Sequence, residues 1–407
     1  MFERLAGQSG GVSKTSAGSY DVVVVGGGVV GSAVANFLAS QKDFDGRIAV
    51  IERDPGYAHA ASARSVGGIR QQFSTVENIQ LSMFAAAFVK NAAAHLSVNG
   101  AVPMLGFNEA GYLFLAAPDK SNRLRANHEI QIRNGATIAL MDPEALAARF
   151  PWLNVEGIAL GAHGLENEGW VDPYSLLMAF RNKARSLGTD YMSGEVTGLR
   201  LKNRAVVSVQ LASGESLACG ALVNAAGARA DQVAAMAGVD LPVRPRKRQV
   251  FVFECRETIA DCPLVVDPSG MYFRPESGRF LCGVSPLPAS DPDTLDHDVD
   301  YSVFDNTLWP LLARRVAAFE SIKMVNAWAC TYAYNTLDQN AVIGPHPEIR
   351  NLFFANGFSG HGLQHSPGVG RAVAELITFG KYRSIDLSRF GYERIADNAP
   401  VRELNVV

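Results

Sequence analysis

The chain is poor in what would mark several common classes. Of its 407 residues only five are cysteines, Cys219, Cys255, Cys262, Cys282 and Cys330. They are scattered, odd in number and lack a Cys-x-x-Cys pair, which fits reduced thiols better than a disulfide frame or a zinc site. No excess of basic charge is present: 37 Lys and Arg stand against 40 Asp and Glu, a formal net charge of −3. That balance lacks the basic footprint of a nucleic-acid binder. No run approaches the eighteen apolar residues of a membrane-spanning helix, and there is no internal repeat. The opening stretch, MFERLAGQSGGVSKTSAGS, has no apolar core of a signal peptide and is not strongly basic. We expect a flexible leader over residues 1–19, and a bacterial protein of the cytoplasm or the membrane periphery.

What the chain does have is glycine, placed in two clusters. The first follows a strand. In YDVVVVGGGVVGSAVANFLAS, the valines Val22 to Val25 suit a strand buried on both faces of a parallel sheet. Gly26, Gly28 and Gly31 then take the G-x-G-x-x-G spacing, for a tight turn, a close backbone approach to a pyrophosphate and close helix–strand packing. A helix to about Ser40 would point its N-terminal amides at the phosphates. A second strand, RIAVIERD, ends in Glu52, 21 residues after Gly31, where a carboxylate accepts hydrogen bonds from ribose hydroxyls. This unit predicts an adenine dinucleotide but does not separate FAD from NAD.

The second cluster, NGFSGHGLQHSPGVG, covers residues 356–370 and holds five glycines and two histidines. It reads as a glycine-rich turn between a strand at 352–355 and a helix from near Pro367 to about Gly380. A dinucleotide half needs one such loop, so a second points to a longer cofactor that meets bare backbone at its other end as well. Between the clusters, HAASARSVGGIRQQFS supplies Ser62, Ser65, Gly67 and Gly68 in a polar loop, with Arg70 as a candidate carboxylate ligand. Asp142–Pro143 and Asp172–Pro173 read as helix starts, each with a capping Asp and a first-turn Pro. VNAAGARA ends a buried strand at a further glycine turn. Residues 250–283 alternate as an antiparallel sheet. LPASDPDTLDHDVD (287–300) reads as a solvated acidic loop, and TLWPLLARRVAAFE (307–320) as one helix.

Together, VVVVGGGVVGSAVA, IERD, SVGGIRQQ, VNAAGARA and GFSGHGLQHSPGVGRAVAELI resemble the D-amino-acid oxidase superfamily of FAD-dependent oxidoreductases, which includes glycine oxidase, sarcosine oxidase and dimethylglycine dehydrogenase. Some of these stretches are similar to a subfamily linked to assembly of a mitochondrial respiratory complex. The resemblance covers Tyr20 to about Asp386. It implies an α/β fold: a Rossmann-like FAD domain (20–95, 155–235 and 328–395) and a substrate domain with a large antiparallel sheet (96–154 and 236–327). It implies FAD, noncovalent rather than covalent, with Cys330 and His59 the nearest matches to flavin-linked positions.

Carried onto this sequence, Gly26, Gly28, Val29, Val30 and Gly31 would hold the pyrophosphate, and Glu52 and Arg53 the adenosine side. Ser62, Ala63, Arg64, Ser65, Gly67 and Gly68 would line the phosphate and flavin side, Val196 the adenine, and Ala226 and Gly227 the dinucleotide. Gly357, Ser359, Gly360, His361, Gly362, Leu363 and Gln364 would face the flavin ring. Substrate-side candidates are Arg70, Tyr272, Arg274, Gln364 and His365. The implied reaction oxidises the C–N bond of an amine or N-substituted amino acid, with a hydride equivalent passing to flavin N5 and water hydrolysing the imine; oxygen, a quinone or a protein would take the electrons. Two departures stand out. Gln364 replaces a carboxylate-binding lysine, and Leu281 stands where a lysine assists oxygen. An FAD-holding assembly protein with little turnover is the alternative, and an NAD-dependent dehydrogenase is disfavoured by the second glycine turn.

Overall fold

The computed structural model describes residues 18–405. The expected leader therefore lies outside the described residues, save that Ser19 already opens the first strand, β1 (Ser19–Val25). Val22 to Val25 are almost wholly buried. Val22 and Val24 face one core, with Val34, Leu38, Val369 and Val373; Val23 and Val25 face the other, with Val233 and Ala234. A strand covered on both sides has no polar face to offer, hence the unbroken valine run.

β1 is central in an eight-stranded sheet. Its order is Val342–Pro345, Leu352–Asn356, Ser216–Asn224, β1, β2 (Ile48–Glu52) and Asp190–Ser193, with Ala205–Leu211 and Val196–Lys202 appended. The central pairings are parallel. Val25 stands beside both Ile51 and Asn224, and Asn224 beside Phe354. That register brings the ends of four strands to one edge, where doubly wound sheets bind their ligands.

A second eight-stranded sheet runs Ile322–Asn335, Val243–Cys255, Arg279–Val284, Met271–Glu276, Leu264–Val266, Tyr112–Ala116, Leu160–Gly164, Ile138–Met141. It is antiparallel as expected except where Leu264–Val266 runs parallel to Tyr112–Ala116. Its core is aromatic: Phe251, Phe253, Phe273 and Phe319 are fully buried, with Phe253 and Phe319 edge to face at 5.0 Å. Among the described residues no helix is long and apolar enough to cross a membrane.

Four expectations are corrected. Leu160–Gly164, placed by the sequence in the cofactor domain, belongs to the second sheet, and Ile322–Asn335 runs through the expected boundary at 328. The late helix spans Gly362–Phe379, so it starts five residues before Pro367. Pro367 has no N–H for the Leu363 carbonyl; the Ser366 hydroxyl donates to that carbonyl instead, at 2.8 Å. The segment 307–320 is not one helix: Phe304–Leu308 is a π-helical turn, Trp309–Arg315 is α-helical, and extended Val316 (φ −137°) precedes a 3-10 turn at Ala317–Glu320.

The acidic stretch is a largely exposed loop, as expected, but ion pairs tether it. Asp291 forms a two-pronged pair with Arg248 (2.9 and 2.9 Å), Asp293 meets Arg246 at 3.1 Å and Asp296 meets Lys247 at 2.6 Å. The row of cations on the strand Val243–Cys255 pins it down.

Candidate functional site

At the shared edge of the first sheet lies a cavity of about 420 Å³. Both glycine clusters line it. Gly26 and Gly28 with Val29 and Val30 form one wall; Ser359, Gly360, Gly362 and Leu363 form another. Glu52, Arg53, Val196, Ala226 and Gly227 line it as well.

The first turn needs its glycines for space. Gly26 sits at φ +99°, and a Cβ there would lie 2.3 Å from the Ala225 carbonyl oxygen. Gly31 does not line the cavity; a Cβ there would fall 1.9 Å from the Gly26 carbonyl, so its role is to let the helix α1 (Val29–Ala39) meet the turn. Glu52 is held on both oxygens, by Gly27 N–H and Asp54 N–H at 2.7 Å each. Burial pushes its carboxyl up, against the pull of those two bonds. Ser62 Oγ accepts from Val29 N–H at 3.1 Å, which ties the following loop to the start of α1.

The second turn carries left-handed backbone at Gly357, Ser359 and Gly360 (φ +72°, +49° and +101°). A Cβ on Gly360 would lie 2.6 Å from the Tyr332 ring, so the backbone runs flat against that tyrosine. Ser359 keeps its conformation by accepting from Asn335 N–H at 2.9 Å. Asn356, which lines the cavity, donates to the Asn224 carbonyl at 3.0 Å, and its buried Oδ1 has no partner among the described residues. The turns also touch through their helices: a Cβ on Gly370 would lie 2.7 Å from the Ala33 carbonyl carbon.

Of the loop residues, Ser62 and Ser65 line the cavity. Ala63 packs against the Val29–Tyr57 core cluster. Arg64 donates to the Ala58 and Ala329 carbonyls at 2.6 and 2.5 Å. Gly67 and Gly68 make room for the Val171 carbonyl and the Tyr112 hydroxyl, since a Cβ on either glycine would fall 2.1 Å from the oxygen it faces. The cavity wall also includes Thr331 and three groups that sequence reasoning missed: Tyr332, Leu295 and His297. His297 bonds Thr331 Oγ1 at 3.1 Å and its ring lies 5.0 Å from that of His59. The signal was present, since the aspartates around His297 complement the cations of RPRKR (244–248). Cys330 is buried and off the cavity, with its thiol pushed up to about 12 by burial.

Arg70, His361, Gln364 and His365 come together, off the lining of the cavity. Arg70 is buried and its guanidinium meets only neutral acceptors: the Gln72 carbonyl, His361 Nε2 (3.1 Å) and the Asn405 carbonyl (2.8 Å). It lies over Phe73, 4.0 Å from the ring centroid. Among the described residues no carboxylate is within ion-pair distance of it. Its backbone N–H donates to Gln364 Oε1 at 2.9 Å. Because an arginine only donates, His361 Nε2 accepts, and its Nδ1–H donates to the Phe358 carbonyl at 3.1 Å. Burial and the Arg70 charge hold both histidines neutral; His365 is pushed down to about 3. Buried His365 Nε2 has no partner among the described residues.

Tyr272 and Arg274 stand on the strand Met271–Glu276, and both lie near Tyr112, whose phenol also feels the Arg70 charge. Arg274 is engaged by Glu276, the Pro275 carbonyl (2.8 Å) and the Val66 carbonyl (2.9 Å), and stacks 5.0 Å over Trp170. Burial raises the Tyr272 phenol well above its ordinary value. Leu281 is buried against Val250 and Val252.

Behind Arg70 sits Glu168, wholly buried and pushed up to about 7 by desolvation. It accepts from Gln71 N–H (2.5 Å) and Gln72 Nε2 (2.8 Å), and so fixes the Arg70–Gln72 segment.

A family model described as "FAD dependent oxidoreductase" (DAO) matches residues 21–376. The FAD-dependent oxidoreductase domain-containing protein 1 of Xenopus laevis is 45% identical over 95% of this chain and 85% of its own length. Glycine oxidase of Geobacillus kaustophilus is 29% identical over 92% of this chain and 97% of its own. Among solved structures, L-proline dehydrogenase from P. horikoshii superposes with a TM-score of 0.84 at 27% identity, over 94% of this chain and 99% of that one. Glycine oxidase from Geobacillus kaustophilus follows at 0.79 and 27%, over 92% and 98%.

Proposed function

The chain belongs to the DAO family of FAD-dependent oxidoreductases, and from that premise we propose that it oxidises the C–N bond of a small amine or N-substituted amino acid that carries a carboxylate. The observation that carries this reading is Arg70, a buried cation with neutral partners beside the second glycine turn. Buried charges are normally paired; one without a counter-ion suits an anionic ligand.

The residues present fit FAD. Bare backbone at Gly26, Gly28 and Gly360 and a Glu52 carboxylate gripped from behind all meet one cavity, which Asn356 also lines. Gly28, Val29 and Val30 would hold the pyrophosphate, Glu52 a ribose hydroxyl, and the turn Gly357–Leu363 the flavin ring, over Tyr332. Bound FAD supplies the two-electron acceptor, taking a hydride equivalent at N5.

The chain's own groups prepare the substrate. Arg70 orients it by its carboxylate. The surroundings are dry and the histidines neutral, which disfavours an ammonium and leaves the amine with the lone pair that C–N oxidation requires. His365 Nε2 is a buried polar atom with no partner among the described residues. The absence of a cation at Leu281 favours a quinone or protein over oxygen as electron acceptor.

The test is an anaerobic reduction screen of the FAD-loaded protein over glycine derivatives, D-amino acids and proline analogues. Bleaching of the visible flavin band by a carboxylate-bearing amine supports the proposal. Silence across the panel favours an FAD-holding assembly protein instead.

A further inference from the structure

The segment Val401–Asn405 lies across the substrate side like a strap. Its anchor is Glu403, which is buried. One carboxylate oxygen accepts from Ser74 N–H and Oγ–H at 2.7 Å each; the other accepts from Thr75 N–H (3.1 Å), Thr75 Oγ1 (2.7 Å) and Asn78 Nδ2 (3.1 Å). These donors surround the start of the helix Val76–Lys90, whose dipole favours a negative charge at that end. Two residues on, the strap reaches Arg70. Arg70 Nη2 donates to the Asn405 carbonyl at 2.8 Å. Asn405 Nδ2 donates at 2.6 Å to the Gln72 carbonyl, which also accepts from Arg70 Nη1.

Counting donors shows what this contact does. A guanidinium offers a carboxylate two planar forks, Nε with Nη2 and Nη1 with Nη2. Both forks need a hydrogen on Nη2, which carries two. In Arg70 one of them meets His361 Nε2 and the other the Asn405 carbonyl. Neither fork is open. A carboxylate binding with both oxygens must displace one of these partners. His361 is fixed through Nδ1 to the Phe358 carbonyl and packs edge-on against Phe73, with centroids 5.1 Å apart. Apart from Arg70, Asn405 is held by hydrogen bonds to the Gln72 carbonyl and Glu403 alone, in a terminal segment with no helix or strand of its own.

We propose that the strap is an autoinhibitory cover. The Asn405 carbonyl takes the place of one substrate carboxylate oxygen on Arg70, and a carboxylate ligand binds by displacing it. The exchange replaces a neutral acceptor with an anion on a buried cation that has no counter-ion among the described residues. The inference rests on the reading of Arg70 as the substrate's carboxylate anchor.

The test uses the FAD-loaded protein and acetate as the probe, with acetamide as the uncharged control, read as a perturbation of the visible flavin spectrum. A chain stopped after Glu403 keeps the anchor and removes Asn405. It should bind acetate roughly tenfold more tightly than the full chain, the size of one charge-assisted hydrogen bond, with FAD content and thermal midpoint unchanged. Glu403→Gln in the full chain, which puts an amide donor among six donors, the Asn405 N–H included (3.0 Å), should tighten acetate in the same direction. Unchanged or weaker acetate binding in the stopped chain overturns the strap, as does acetate binding to neither protein. The anchor is tested separately: Arg70→Ala that abolishes the acetate response while the stopped chain shows no gain sinks the strap alone. The amine reduction screen stands apart from both.

Discussion

Glu168→Gln isolates the cost of a buried carboxyl behind the Arg70–Gln72 segment. Glu168 has no exposed surface, and burial lifts it from 4.5 to about 7. A carboxyl whose folded pKa lies above its unfolded value keeps its proton longer in the folded chain. Between about pH 4.5 and about pH 7 the folded state therefore binds more protons than the unfolded one, and stability falls as pH rises through that window. A rise of about 2.5 units corresponds to about 3 kcal/mol, fully felt above pH 7. Glutamine cannot ionise, so the variant should lack this slope. It gives up one acceptor, because its amide group faces the Gln71 N–H or the Gln72 amide as a donor, at a cost of about 1–2 kcal/mol. Denaturant melts from pH 5 to pH 8 should show Glu168→Gln less stable than the parent at pH 5 and equal or more stable at pH 8. Parallel pH profiles for the two proteins would refute the reasoning, since the titrating group would then lie elsewhere.

Further expectations concern the site. Arg70→Ala removes two charge-assisted bonds of about 1.5–3 kcal/mol each to a carboxylate; kcat/KM for carboxylate-bearing amines should drop about a hundredfold or more with FAD still bound, as steady-state kinetics and flavin content will show. Asp291→Asn leaves Arg248, itself largely buried, without its anion; FAD, walled in by Leu295 and His297 of the same segment, should dissociate about tenfold faster, measured as flavin fluorescence recovered on dilution. With Cys330 off the cavity and its thiol protonated, acid precipitation should release all flavin from the parent chain, and Cys330→Ala should stay yellow.

The cofactor half of the molecule was legible because its signals are local. Four valines in a row, glycines at fixed spacing and a terminal Glu52 define strand, turn, helix and strand without reference to distant residues. The Asp142 and Asp172 caps were equally plain, and each accepts from the amide three residues on, at 2.8 and 2.6 Å. What escaped was set by contacts distant in sequence. Pro367 reads as a first-turn residue, yet the helix starts earlier, with Gly368 and Gly370 allowing it to lie on Leu81 and Ala33. The acidic segment around Asp291 was read by composition, while its partner cations stand about forty residues earlier. Arg70 was identified from a short motif, but nothing near it in sequence reveals that its Nη2 is shared with Asn405, 335 residues away.

A crystal structure of the FAD-loaded protein tests the central claim most directly. The account predicts one extended FAD, its pyrophosphate on the Gly28–Val30 amides and its flavin ring against the Gly360–Leu363 backbone. A flavin ring lodged away from that second turn, with the pyrophosphate still on the first, would contradict it.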